Sequence, residues 1–86
     1  MNRIVEFKII KDYMVWIKFE DGFNAELNFK PFIGKGFTKE LLEENKFKTL
    51  SLEEGGGLTF CNGFDFCPNY LRLLVDKREN VQIAQH

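Results

Sequence analysis

Few side chains in this chain are equipped for chemistry, and the spacing of those few argues mostly for structure. Asp65 is the strongest candidate, set between Phe64 and Phe66, after the turn dipeptide Asn62-Gly63 and shortly before Pro68. A carboxylate there can accept backbone N–H groups, holding the turn and capping a following helix. The functional alternative makes it the polar anchor of a binding pocket ringed by Trp16, Phe60, Phe64 and Tyr70. Asp65 and Asp21 together would supply an acid and a base, yet no pattern around them marks a substrate pocket. Cys67 precedes Pro68, where a helix start favours the thiolate; its neighbours Asp65 and Phe66 favour an inert core thiol instead. Cys61 and Cys67 have five residues between them with no second pair, and the sole histidine, His86, is terminal. Zinc ligand pairs are spaced more tightly, so no metal, no cofactor and no catalytic residue is expected. Gly55-Gly56-Gly57 lacks the lysine and Ser/Thr of a phosphate-cradling loop and reads as a plain hairpin connection.

The elements that must position these residues begin with a strict alternation. Tyr13, Val15, Ile17, Phe19, Phe23, Ala25, Leu27 and Phe29 are apolar at every second position, interrupted at Glu20-Asp21-Gly22. A period of two across an Asp-Gly turn signals a β-hairpin. Residues 3–10 extend it to a three-stranded meander, with Val5, Phe7 and Ile9 expected to face the same core. The opposite face carries Ile4, Ile10, Met14 and Trp16 among charged residues, which leaves it either covered by a second layer or open to a partner.

Lys30-Pro31 ends the pairing, because proline has no N–H for the ladder. Thr38 is placed to cap a short helix running to Asn45. Residues 47–53 and 58–61 read as a fourth and fifth strand, joined by the glycine triplet. Asn62-Gly63 suits a type I′ turn, and Pro68 opens a helix to about Arg78 that buries Leu71, Leu74 and Val75. The expected fold is α+β, a mostly antiparallel sheet of about five strands with two helices packed on it. Residues 1–79 form one domain and residues 80–86 a polar tail.

Composition excludes several classes of function. Eighty-six residues allow one domain. Ten phenylalanines with Trp16, Tyr13 and Tyr70 can build its core without disulfides. The net charge of −1, with signs interspersed, supplies no basic face for nucleic acid. The nearest approach, Arg3, Lys8, Lys11 and Lys18, is broken by Glu6, Asp12 and Glu20. Glu6 and Lys8 interrupt any signal-peptide core, and no run reaches the roughly 18 apolar residues of a membrane span. The chain is expected to be cytoplasmic, with reduced cysteines.

Two blocks carry a family likeness. Phe19-Glu20-Asp21-Gly22 followed by Leu27-Asn28-Phe29-Lys30-Pro31-Phe32 resembles the first signature of the DUF2442 family of small bacterial proteins. Leu58 to Leu71, with Asn62-Gly63, Asp65 and Pro68 at its heart, resembles the second. Phe60 stands where the family usually has Trp, and Cys61 where Pro is common. The resemblance implies a compact α+β domain without an established reaction, in some cases encoded in arrangements that suggest toxin–antitoxin pairs. The expected role is therefore a non-enzymatic interaction or regulatory module, with a protein partner or a second copy on the Met14/Trp16 face. The alternatives are a small-molecule-binding protein or enzyme around Asp65, and a weak nucleic-acid binder along the lysine edge.

Overall fold

A computed structural model describes residues 2–82. Three strands come first: β1 (Ile4–Lys11), β2 (Met14–Phe19) and β3 (Asn24–Asn28), an antiparallel sheet in the order β1-β2-β3. Two short 3₁₀ segments follow, Lys30–Phe32 and Gly36–Leu42, then the single-turn helix α1 (Glu44–Phe47). Three two-residue strands, β4 (Ser51–Leu52), β5 (Leu58–Thr59) and β6 (Asp65–Phe66), form a second antiparallel sheet before α2 (Pro68–Gln82).

The class is thus α+β, but the strands divide into two sheets of three instead of one sheet of about five. The sheets meet where Ile4 donates its N–H to Gly56 O at 2.8 Å. Beyond that bond β4 lies beside β1 without sharing a ladder with it.

One turn geometry is used three times. Phe19 N–H donates to Phe23 O at 2.8 Å while Gly22 N–H donates back to Phe19 O at 2.9 Å. Phe60 and Phe64 repeat this around Gly63, at 2.9 and 3.0 Å, and Glu53 and Gly57 repeat it around Gly56, at 2.8 and 2.9 Å. Gly22, Gly56 and Gly63 have φ of 93°, 93° and 90°. These are three-residue hairpin loops closed by a glycine in the left-handed region. The type I′ turn expected at Asn62-Gly63 needs positive φ at both residues, and Asn62 does not have it. Asp12 is the only non-glycine residue with positive φ among the described residues, at 48°, and it turns β1 into β2.

The alternation in β2 holds: Val15, Ile17 and Phe19 are fully buried. In β1 it slips. Ile4 pairs with Phe19 and Glu6 with Lys18, so Val5 is an extra residue in a β-bulge. The bulge turns Ile4 inward, at 2% exposed, and Val5 outward, at 46%, the reverse of the simple alternation.

The single helix expected after Thr38 is broken in two. Glu43 is extended, with φ −76° and ψ 133°, between the 3₁₀ segment and α1. The break frees Leu42 O to accept the Tyr13 hydroxyl at 2.6 Å. Thr38 lies inside the 3₁₀ turn, where its hydroxyl donates to Lys35 O at 2.6 Å and accepts the Lys35 N–H at 3.3 Å. The strand expected over 47–53 shrinks to Ser51–Leu52, because Phe47 belongs to α1 and is buried there. α2 passes the expected end at Arg78 and runs through Gln82, into the expected tail; residues 83–86 lie outside the described residues.

Phe29 is the hub of the core. Its ring meets Phe66 at 5.0 Å, Phe32 at 6.1 Å and Phe47 at 6.3 Å, each edge to face. Such geometry aligns the positive ring edge with a neighbour's negative face. The same core takes in Leu71 and Val75 of α2, so the helix closes over the inner face of the meander.

Candidate functional site

Two surfaces carry the polar and aromatic groups from which a site could be built. The first is the outer face of the meander. Pleating sends the even-numbered residues of β2 and β3 away from the core, and register lines up Lys8, Trp16 and Glu26 in one row and Glu6, Lys18 and Asn24 in the next. Met14 and Trp16 are half-buried, against the complete burial of their neighbours Val15 and Ile17. The indole N–H of Trp16 donates to Asn24 Oδ1 at 3.1 Å, and Asn24 Nδ2 donates to Gly22 O at 3.3 Å. The ring is thereby tied to the Asp-Gly hairpin and held along the sheet.

The second surface is a clasp between that hairpin and α2. The Arg72 guanidinium stacks over Phe23 at 4.4 Å and Phe19 at 5.0 Å. It forks onto the Asp21 carboxylate, with Nη2 to Oδ2 at 3.1 Å and Nη1 to Oδ1 at 3.3 Å. Its Nε donates to Asp76 one turn along α2, at 3.2 Å. The hydrogen bond from Arg72 holds the Asp21 carboxyl below its ordinary range, helped by the Phe23 N–H, and the same bond raises Arg72 further. The Arg72 side chain is only 19% exposed. A guanidinium occupied by two carboxylates and two rings is a structural fastener, with little left to offer a substrate. Asp21 is also the turn residue expected of it, since its Oδ1 accepts the Phe23 N–H at 3.1 Å. Arg72 was missed; the i, i+4 pairing with Asp76 was the only local trace of it.

The residues picked from sequence do not line one pocket. Phe60 is buried against Phe47 and Phe66, at 5.3 and 6.4 Å, on the inner side of the meander, whereas Trp16 lies on its outer side. Tyr70 is 47% exposed on α2. Asp65 faces outward from β6 opposite Thr59 and caps nothing. The turn is held instead by Asn62, whose Oδ1 accepts the Phe64 N–H at 3.1 Å. The cap position before Pro68 belongs to Cys67, whose carbonyl accepts the Leu71 N–H at 3.1 Å. An extended strand alternates its side chains, so burying Phe66 turns Asp65 out, away from the helix end it was expected to cap. Cys61 and Cys67 are both exposed free thiols, so neither is the core thiol expected of Cys67. No cluster of three metal-ligating side chains occurs among the described residues. Among them, no helix is long and apolar enough to cross a membrane.

Fold and surfaces together define a small α+β domain in which hairpins of one geometry clasp the segments around them. Residues 4–76 match the family described as "Protein of unknown function (DUF2442)", and the chain belongs to that family. No curated protein and no solved structure matches it.

Proposed function

We propose that this chain is a non-enzymatic protein-interaction module whose contact surface is the outer face of the meander, centred on Met14 and Trp16. The observation that carries the reading is the asymmetry of the sheet. Its inner face is sealed by the core, while the outer face presents a tethered tryptophan beside a methionine, among lysines and glutamates. An aromatic anchor in a mixed-charge rim is the composition found at the centres of interfaces. The finer form of the proposal, drawn from the family likeness, makes the chain the regulatory half of a small two-protein pair.

The test places a photocrosslinking amino acid at position 16 and, as a control, at position 73 on the exposed side of α2. A single protein captured from position 16, not from 73, and lost in a Met14→Glu variant supports the proposal. Equal capture from both positions, or no capture, refutes it.

A further inference from the structure

Asn62 is the only asparagine of this chain followed by glycine. That dipeptide carries an intrinsic reaction with water, because a residue without Cβ leaves its amide nitrogen open to the preceding side chain. The lone pair of the Gly63 nitrogen attacks Cγ of Asn62 as that nitrogen gives up its proton. The new C–N bond closes a five-membered imide, and the side-chain nitrogen takes up a proton and leaves as ammonia. Water then adds to either imide carbonyl and opens the ring, to aspartate or to isoaspartate, whose backbone runs through the side chain. One water enters and one ammonia departs, with no oxidation or reduction.

The fold holds each reacting group off that path. The Gly63 N–H donates to Phe60 O at 3.0 Å, so the nucleophile keeps its proton in a hairpin bond. The carboxamide is anchored at both ends. Its Oδ1 accepts the Phe64 N–H at 3.1 Å, while Nδ2 donates to Phe37 O at 3.1 Å and to Glu40 Oε2 at 3.2 Å. Swinging Cγ toward the Gly63 nitrogen breaks these bonds. The Phe64 N–H alone would polarise the carbonyl toward attack. Glu40 opposes it, because its carboxylate stands beside the amide on which negative charge must develop.

We propose that Asn62-Gly63 is a self-modification site that the native hairpin keeps closed, so that conversion follows opening of the β5–β6 loop and then releases the 3₁₀ segment Gly36–Leu42. A hairpin tip opens locally at a fraction of the cost of unfolding the core, and opening frees nucleophile and carboxamide together. The product does not close the site again. An acid cannot donate, so Phe37 O loses its partner and a new carboxylate faces Glu40. Isoaspartate also lengthens a loop whose two closing bonds, at 2.9 and 3.0 Å, fit its present length. The inference concerns the β5–β6 tip and does not depend on what binds the Trp16 face.

The experiment keeps the whole chain at mildly alkaline pH, folded or in guanidinium chloride, and reads conversion at residue 62 by peptide mapping and mass spectrometry. Conversion in denaturant should outpace the folded chain by about tenfold or more. Gly63→Ala, whose Cβ meets nothing within 4 Å in the fold, should slow it in denaturant by crowding the nucleophile. In the folded chain Glu40→Ala should speed conversion about two- to tenfold, while Glu40→Gln, which still accepts from Nδ2, should stay closer to the unaltered chain. Chain converted in denaturant and refolded should exchange backbone hydrogens across 36–42 about fivefold faster or more than unconverted chain taken through the same steps. If Glu40→Ala or the converted chain does not fold, the folded-against-denatured ratio and hydrogen exchange of Asn62→Asp decide. Equal rates in the two states, conversion centred on another asparagine, no acceleration in Glu40→Ala, or unchanged exchange across 36–42 would each overturn the proposal.

Discussion

The hairpins at Asp21 and Asn62 share a local code and diverge in what they hold. Both read Phe-x-Asx-Gly-Phe, close with the same pair of backbone hydrogen bonds, and use the Asx side chain to accept the N–H of the second phenylalanine. Beyond the turn they differ. Asp21 is ionised and draws Arg72 of α2 between Phe19 and Phe23. Asn62 is neutral and has N–H groups to give, so it donates to Phe37 O at 3.1 Å and to Glu40 at 3.2 Å, fastening the 3₁₀ segment. One oxygen of the Asx side chain makes the turn in each case. The remaining group, carboxylate or amide, selects the partner.

The strongest test of the shared frame truncates its first aromatic. Phe19→Ala and Phe60→Ala each remove a buried ring and should cost about 3–5 kcal/mol in denaturant unfolding. A cost under about 1 kcal/mol at either one would break the equivalence. Next come the glycines. A Cβ at Gly22 or Gly63 meets nothing within 4 Å, so only the positive φ penalises alanine; each should lose about 1–2 kcal/mol, and the two losses should match. Gly56→Ala should lose more, because its Cβ would also crowd Arg3.

The smaller effects separate the two hairpins. Asn62→Asp keeps the turn acceptor but withdraws the donor from Phe37 O and sets a carboxylate against Glu40, at a cost of about 1–2 kcal/mol at neutral pH. That loss should shrink on acidification, as the carboxylates protonate. Asp21→Asn works in the opposite sense. Asp21 has its carboxyl lowered from 3.8 in the folded chain, so its contribution is full above that value and vanishes as pH falls through the lower folded value. Arg72 stays protonated throughout and adds no slope in this range. Thermal unfolding of Asp21→Asn should therefore lie below the unaltered chain at pH 6 and converge with it toward pH 2. A constant gap across that range would show the carboxylate–guanidinium pair to be idle.

Much of the frame was legible in the residues. The meander, its Asp-Gly turn, the helix opening at Pro68 and the hairpin role of the glycine triplet all follow from period, turn chemistry and proline's fixed φ. The site was less legible. Asp65 stands beside a turn and a helix start in the sequence, but Asn62 and Cys67 occupy the positions that hold the one and cap the other. Alternation places Trp16 on the partly apolar second face, but its bond to Asn24 depends on strand register.

What the sequence determined alone is what is encoded within a few residues: alternation that makes strands, glycines where φ must be positive, and a proline where a helix begins. What the tertiary structure decided is everything set by closing the chain on itself. Val5 bulges out so that Ile4 can enter the core, β4 to β6 split off as their own sheet, and Arg72 finds Asp21 from 51 residues away. Local codes state which conformations a segment favours. Only the shared core fixes which surfaces then meet, because burying one set of rings dictates where every attached polar group must point.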